Sequence, residues 1–254
     1  MTSVSLCIPV YRSAEFLPDL FERLRALEPK PAEILLLDDA SPDQSATLIS
    51  NFAKQPLPQL NLRLIRNTSN TGIAAAYNRL AQEARAEWVH ILDADDYPVE
   101  VDFYARVATE LDPQRDVVVT ALDSNSQVLR WGVSAFIWMA PRYPPRWWPL
   151  LGSFATRAGV IYRRERLLAQ PFPDPAFPGS DVLHLLRLRG DHNCVFLRRA
   201  HVFYHVHAAA TSSRERSYRE YRAGLAQFGW VTWLAHMLDL RLRMLGQRIG
   251  RRRP

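Results

Sequence analysis

Between residues 4 and 111 the chain alternates short apolar runs with stretches of helical periodicity, a pattern that few folds accept. "VSLCIPV" (4–10), "AEILLLDD" (32–39), "LNLRLIR" (60–66) and "AEWVHIL" (86–92) read as strands. "AEFLPDLFERLRAL" (14–27) carries apolar side chains at Phe16, Leu17, Leu20, Phe21, Leu24 and Leu27, the spacing of one helix face. "SPDQ" (41–44) reads as a helix start, with Ser41 as N-cap, Pro42 in the first position and Gln44 closing a capping box; the helix runs to about Ala53. "TGIAAAYNRLAQEA" (71–84) and "PVEVDFYARVATEL" (98–111) read as further helices. Strands joined by crossover helices imply an α/β, Rossmann-like, mostly parallel sheet with helices on both faces. Ligands of such sheets bind outside the carboxyl ends of the strands. Pro9-Val10-Tyr11, Asp38-Asp39 and Asp93-Ala94-Asp95-Asp96 all fall at such ends, so the spacing predicts one ligand site on one edge.

"HILDADDYP" (90–98) sets three carboxylates within four positions, directly after an apolar run. They repel one another and are poorly solvated at a buried strand end, so a counter-charge is required. Hard carboxylate oxygens with no cysteine beside them favour Mg2+ or Mn2+ over zinc. Such an ion keeps open positions for phosphate oxygens, which points to a cation bridging a diphosphate.

From residue 115 the rhythm changes. "RDVVVTAL" (115–122) and "QVLRWGV" (127–133) read as strands, with a hairpin around Asp123-Ser124-Asn125. "PRYPPRWWP" (141–149) is a Pro-rich loop. "GVIYRRERLL" (159–168) reads as strand then helix, "GSDVLHLLRLRG" (179–190) as a short helix, "CVFL" and "HVFYHVH" as strands, and residues 214–248 as helical.

Five stretches, in this order and at these intervals, carry a resemblance: "VSLCIPVYRSAEFL", "ILLLDDASPD", "NTSNTGIAAAYNRL", "WVHILDADDYP" and "FPGSDV". Together they resemble family 2 glycosyltransferases of the GT-A fold, most specifically over residues 4–98. The resemblance implies inverting transfer of a sugar from a nucleotide-diphosphate sugar donor to an acceptor hydroxyl. By that resemblance Pro9, Val10 and Tyr11 line the base and ribose, and Asp39 accepts a hydrogen bond from the base edge. Asn70, Gly72 and Asn78 shape the nucleotide pocket. Asp93 and Asp95 contact ribose or sugar hydroxyls and the metal, and Asp96 is the strongest direct metal ligand. Asp181 falls where the family places its general base, and His207 where some relatives place a further metal ligand or a diphosphate contact.

The chain also departs from the family pattern. Ala40 stands where glycine usually follows the paired aspartates, and Ser180-Asp181 where Glu-Asp is usual. The base assignment therefore rests on Asp181 alone, and a catalytically inactive GT-A-like module that binds carbohydrate or a partner stays open as the alternative. "QVLRW" (127–131) spells a motif of processive synthases, but there it follows the base and here it precedes it. A receiver-type signalling domain needs a lysine at a later strand end, and Lys30 and Lys54, the only lysines, do not fit. A nucleotidylyltransferase needs a Gly-rich phosphate loop, and "CIPVYRSAE" has no glycine.

Charge divides the chain. Residues 1–110 hold 10 Lys/Arg against 16 Asp/Glu, and residues 111–254 hold 22 against 10. That asymmetry suits an anionic ligand bridged by a cation, or a membrane surface, and not nucleic acid. Trp147 and Trp148 in the Pro-rich loop offer flat faces that stack on a pyranose, marking the acceptor side. The last helix aligns Trp230, Trp233, Leu234, Met237 and Leu238 ahead of Arg241, Arg243 and Arg248, the pattern of a helix at a membrane interface facing a lipid-linked acceptor. The expected organisation is a GT-A domain over 1–213, divided into a donor half (1–111) and an acceptor half (112–213), then a helical extension with a basic tail (214–254). Absence of a signal-like start and of a long apolar span, with two isolated cysteines, leads to the expectation of a cytoplasmic protein, peripheral at the inner face of the plasma membrane.

Overall fold

The computed structural model describes residues 3–55, 60–127, 130–131, 138, 157–173, 184 and 194–206. Four parallel strands form one half of its sheet: β1 (Val4–Val10), β2 (Glu33–Asp38), β3 (Leu62–Arg66) and β4 (Trp88–Ile91), in the order β3-β2-β1-β4. Between them run α1 (Leu17–Ala26), α2 (Ser45–Ala53) and α3 (Ile73–Glu83). The sheet then continues as β7 (Val160–Arg163), β6 (Val117–Ser124), β8 (Cys194–Tyr204) and the two-residue β5 (Tyr97–Pro98). β7 is antiparallel to both β4 and β6, β8 runs parallel to β6, and β5 pairs antiparallel with β8. Two antiparallel steps at β7 restore the original direction, so the carboxyl ends of β1, β2, β4, β6 and β8 share one edge.

Every residue of β1 and β2 is buried, which explains why these strands read as unbroken apolar runs. The two-residue alternation persists beneath that uniformity. Val4, Leu6, Ile8 and Val10 join Ile34 and Leu36 in a core with Leu17, Leu20, Leu24, Phe52, Phe103 and Val107. Cys7, Leu35 and Leu37 face the other way, into a core with Ala74, Tyr77, Leu80, Leu167 and Phe172. α1, α2 and α4 (Phe103–Ala108) therefore cover one face, and α3 and α5 (Arg164–Ala169) the other. Cys7 and Cys194 are free thiols in β1 and β8.

Three elements differ from the sequence expectation. α2 begins at Ser45 rather than after Ser41, and no capping box forms. Asp43 takes the Ser45 N–H (3.1 Å) and the Ala14 N–H (3.3 Å), while the Ser41 N–H goes to Asp38 (3.1 Å). "SPDQ" is thus a loop that closes on the β1–α1 connection. Gln127, Arg130 and Trp131 are helical, not extended, and the Arg130 N–H bonds the Ser126 carbonyl at 3.1 Å, so no hairpin forms around residues 123–125. Residues 97–98 form β5, and the helix expected over 98–111 is confined to Phe103–Ala108.

The opposite edge of the sheet is fastened by a buried charge. Glu33 accepts from the Ser5 hydroxyl (2.7 Å), the Arg85 N–H (2.6 Å) and Arg63 (3.1 Å). Burial works against its charge, but those donors outweigh burial and hold the carboxyl below the usual range. One carboxylate ties β1, β2, β3 and the turn before β4. Glu33→Ala strands the Ser5 hydroxyl and the Arg85 N–H, while Arg63 keeps Glu83, and is expected to lower unfolding stability by about 3 kcal/mol, read by urea denaturation.

Candidate active site

The strand ends converge as the spacing predicts. The Asp39 N–H bonds the Val10 carbonyl at 2.9 Å, and the Leu92 N–H bonds the Cys7 carbonyl at 3.0 Å, fixing β2 and β4 against β1 where each ends. Pro9 and Val10 complete β1, and Tyr11 follows it, 41% exposed. Arg12 and Ala40, just beyond the ends of β1 and β2, both take positive φ, 54° and 56°.

Asp39 is 3% exposed, and its carboxylate is engaged by the chain itself. It accepts from the Thr71 N–H (2.9 Å), the Thr71 hydroxyl (2.9 Å), the Gly72 N–H (3.1 Å) and the Asn67 amide. Asn70 donates its amide to the Asp39 carbonyl at 3.3 Å. Gly72 caps α3 with φ 87° and ψ 159°, a conformation essentially confined to glycine that costs a residue with a Cβ about 1–3 kcal/mol. Asp39, Asn70 and Gly72 are therefore brought together, with Asp39 as the anchor that folds the 67–72 turn onto the end of β2. Asn78 uses its amide on Phe172, donating to the carbonyl (2.9 Å) and accepting from the N–H (2.8 Å), and so clamps the segment after α5 onto α3.

Asp93, Asp95 and Asp96 each present a carboxylate oxygen within 4.8 Å of the others. Asp93 accepts from the Tyr77 hydroxyl (3.0 Å) and forms an ion pair with Arg157. Arg157 is 7% exposed, and its guanidinium carbon lies 4.1 Å from the centre of the Tyr77 ring. Asp96 is 1% exposed. One of its oxygens accepts the His205 N–H at 2.9 Å; the other, Oδ2, is buried with no hydrogen-bond partner among the described residues. Burial first, and then the charges of Asp95 and Asp93, push the Asp96 carboxyl well above the usual carboxylate range. A bare buried oxygen beside two further hard donors fits a divalent cation, and Asp95 and Asp96 are the residues that would hold it.

Sequence reasoning singled out neither Tyr77 nor Arg157. Tyr77 lies on the inward face of α3, and Arg157 is one arginine among many, ahead of β7 in a 3-10 turn, Arg157–Gly159. That turn is fixed from below by His90, which is fully buried. His90 Nε2 lies 2.7 Å from the Ala158 carbonyl and Nδ1 lies 3.0 Å from the Tyr104 hydroxyl. The carbonyl can only accept, so Nε2 carries the proton and Nδ1 accepts from Tyr104. Asn125 likewise holds the end of β8, exchanging two 2.9 Å bonds with the Val206 backbone. Asp181, His207, Trp147, Trp148, the motif around residue 180 and the helix expected over 214–248 lie outside the described residues.

Such a fold, with acidic side chains at the carboxyl edge of a mostly parallel sheet, defines an α/β protein of the class whose ligands bind at that edge. Residues 5–167 match the family model described as glycosyl transferase family 2, and the chain belongs to that family. Among curated relatives it is 35% identical over 114 residues to an undecaprenyl-phosphate 4-deoxy-4-formamido-L-arabinose transferase of Yersinia enterocolitica, covering 42% of this chain and 34% of that one. It is 32% identical over 132 residues to a PGL/p-HBAD biosynthesis glycosyltransferase of Mycobacterium bovis, covering 50% of each. The matches thus span about half or less of these relatives' lengths. Among solved structures, S. aureus TarS 1-349 in complex with UDP-GlcNAc superposes with a TM-score of 0.70 at 21% identity, over 89% of this chain and 66% of that one. The mannosyltransferase PcManGT of Pyrobaculum calidifontis, in complex with GDP-Man and Mn2+, gives 0.67 at 19% identity, over 89% and 64%. These likenesses establish the GT-A fold.

Burial lowers the His90 pKa from its ordinary 6.5 to about 4, with Arg157 adding to that effect against the Ala158 carbonyl. The folded protein refuses this proton down to about pH 4, whereas the unfolded chain takes it below 6.5. Its contribution to stability is complete above pH 6.5 and is lost as pH falls towards 4, with about 2 kcal/mol gone by pH 5. Denaturation midpoints from pH 7.5 to 5 are expected to fall less steeply for His90→Gln than for the wild type.

Proposed function

We propose that this chain is an inverting glycosyltransferase, moving a sugar from a nucleotide-diphosphate sugar to an acceptor hydroxyl with Mn2+ or Mg2+ held by Asp95 and Asp96. The observation that carries the reading is the bare, buried Oδ2 of Asp96 within the three-carboxylate cluster at the strand ends. A divalent cation held by the cluster would satisfy that oxygen.

The ion, when bound, neutralises charge that develops on the departing diphosphate. The remaining work falls to side chains of this chain. Pro9, Val10 and Tyr11 receive base and ribose at the end of β1, and Asp39 positions Asn70 and Gly72 beside them. Asp93, held by Tyr77 and Arg157, accepts hydrogen bonds from hydroxyls of the ribose or sugar. Asp181 takes the proton of the acceptor hydroxyl as it attacks opposite the leaving group; general base assistance of this kind supplies about a hundredfold or more. His207 adds a metal or diphosphate contact; the His205 N–H on Asp96, two residues earlier, supports that placement. Trp147 and Trp148 stack on the acceptor.

The structural relatives were captured with UDP-GlcNAc in one case and with GDP-Man and Mn2+ in the other, which supports a nucleotide-sugar donor and the metal. The relative named for undecaprenyl phosphate supports a lipid-linked acceptor in bacterial envelope polysaccharide or glycolipid synthesis. Among the described residues no helix is long and apolar enough to cross a membrane. Residues 214–254, with their tryptophan stripe and arginines, then supply peripheral contact at the inner face of the membrane.

Asp96→Asn keeps an acceptor for the His205 N–H but removes the charge. It is expected to abolish the melting-temperature rise that Mn2+ plus UDP or GDP gives the wild type, without lowering the melting temperature of the protein alone. Asp181→Asn is expected to keep that rise and lose transfer by about a hundredfold. A product of inverted anomeric configuration by NMR supports the mechanism; absence of transfer or hydrolysis with every nucleotide sugar tried supports the inactive binding module instead.

A further inference from the structure

We infer that the groove between α4 and β8 is an anion site separate from the strand ends, built to take a phosphate group, either free or carried on a lipid headgroup. The groove measures about 590 Å³ and is lined by Arg106, Thr109, Leu197, Arg198, Arg199 and His201. That size falls in the range of small-molecule sites, roughly 300–1,000 Å³. None of the lining residues belongs to the strand-end site, so the inference stands without the function proposed above.

The chain reads "FLRRAH" over residues 196–201 of β8. In a regular strand neighbouring side chains point to opposite faces, so one of two adjacent arginines would be turned into the core. The pairing of β8 with β6 is interrupted here. Leu197 stands opposite Thr120 and His201 opposite Ala121, which leaves Arg198, Arg199 and Ala200 as extra residues. Irregularities of this kind re-aim side chains. Ala200 is buried, while Arg198 and Arg199 are both exposed and both line the groove.

Arg106 holds the irregular stretch in place by donating from Nη1 to the Arg199 carbonyl. Its own charge is met by Asp102 at 2.9 Å and Glu100 at 3.5 Å. Glu100 also accepts the His201 N–H at 2.8 Å and lies 2.5 Å from His201 Nδ1. These carboxylates are thus engaged by Arg106 and His201, and among the described residues Arg198 and Arg199 have no acidic partner. Two such guanidiniums on a backbone fixed from α4 suit a phosphate, whose oxygens a guanidinium meets with two parallel N–H donors. Val99 and Val101 stand 38% and 54% exposed beside the groove, where the Val99 N–H bonds the His201 carbonyl at 2.9 Å. They offer an apolar neighbour that a lipid-borne phosphate would use and a free one would not.

The test uses the full chain with EDTA present, which keeps divalent ions away from the strand-end carboxylates. Pyrophosphate is titrated in by calorimetry, and flotation measures binding to phosphatidylcholine vesicles with and without phosphatidylglycerol. Arg198→Ser with Arg199→Ser is expected to weaken pyrophosphate binding, phosphatidylglycerol-dependent binding or both by about tenfold or more, and Arg198→Glu with Arg199→Glu to weaken it further. Both side chains are exposed, and Arg106 reaches Arg199 through its carbonyl, so these variants are expected to keep the wild-type melting temperature. The charge-matched pair Arg23→Ser with Arg25→Ser, on α1, is expected to leave both bindings near the wild-type level. A loss confined to pyrophosphate supports the site and identifies a free phosphate ligand. A loss confined to phosphatidylglycerol vesicles supports it and identifies a headgroup. The inference is overturned if the wild type binds neither probe, if the Arg198 and Arg199 variants bind both as the wild type does, or if the α1 pair loses as much as they do.

Discussion

Parallel pairing of β1 with β2 on one side and β4 on the other governs where every polar group of the site lies. Parallel neighbours end on the same edge, so residues 28 and 84 positions apart along the chain, as in Ser5 with Glu33 and Val4 with Trp88, meet in space. Both faces of these strands are covered, and their backbone donors and acceptors are used within the sheet. Polar chemistry is therefore expelled to the strand ends. At one edge Glu33 satisfies the sheet's own needs with Ser5, Arg63 and Arg85. At the other, Asp96 keeps an oxygen that no described residue satisfies. The contrast between these two buried carboxylates separates a structural edge from a functional one.

The acidic cluster is an electrostatic cost that the fold only partly meets. Arg157 and Tyr77 stabilise Asp93, and the His205 N–H stabilises half of Asp96. Asp96 Oδ2 is left without a hydrogen-bond partner among the described residues. Each supporting group is itself anchored: Tyr77 through Phe172 and the Asn78 clamp, Arg157 through Ala158 and His90, and the end of β8 through Asn125. A site that must take up a small, highly charged ion gains from such rigidity, because the donors need not reorganise when the ion arrives.

Much of this architecture was legible in the sequence because it is written in local patterns. Alternating apolar runs and helical faces located β1 to β4 and α1 to α3, and the short polar sequences after the strands located the edge. Misreadings arose where distant partners decide local structure. Ser41 and Gln44 have the residue types of a capping box, yet the Asp38 carboxylate and the β1–α1 loop draw that segment into a turn. Residues 127–131 alternate like a strand in sequence, but Gln127, Arg130 and Trp131 are helical. Asp39 and Asn78 were legible as important polar residues, whereas their engagement by Thr71, Gly72 and Phe172 was not. Arg157 carries no local signal at all: 64 residues separate it from Asp93, and an arginine-rich second half hides it.

The account turns on whether the bare oxygen of Asp96 is a metal ligand. Crystals grown with Mn2+ and whichever of UDP or GDP binds, measured at a wavelength where manganese scatters anomalously, test this directly. The account predicts an anomalous peak in coordination contact with Asp96 Oδ2 and an Asp95 oxygen, with Asp93 still paired to Arg157. A peak ligated by Asp93 while Asp96 Oδ2 stays bare, or no peak beside a bound nucleotide, would contradict it.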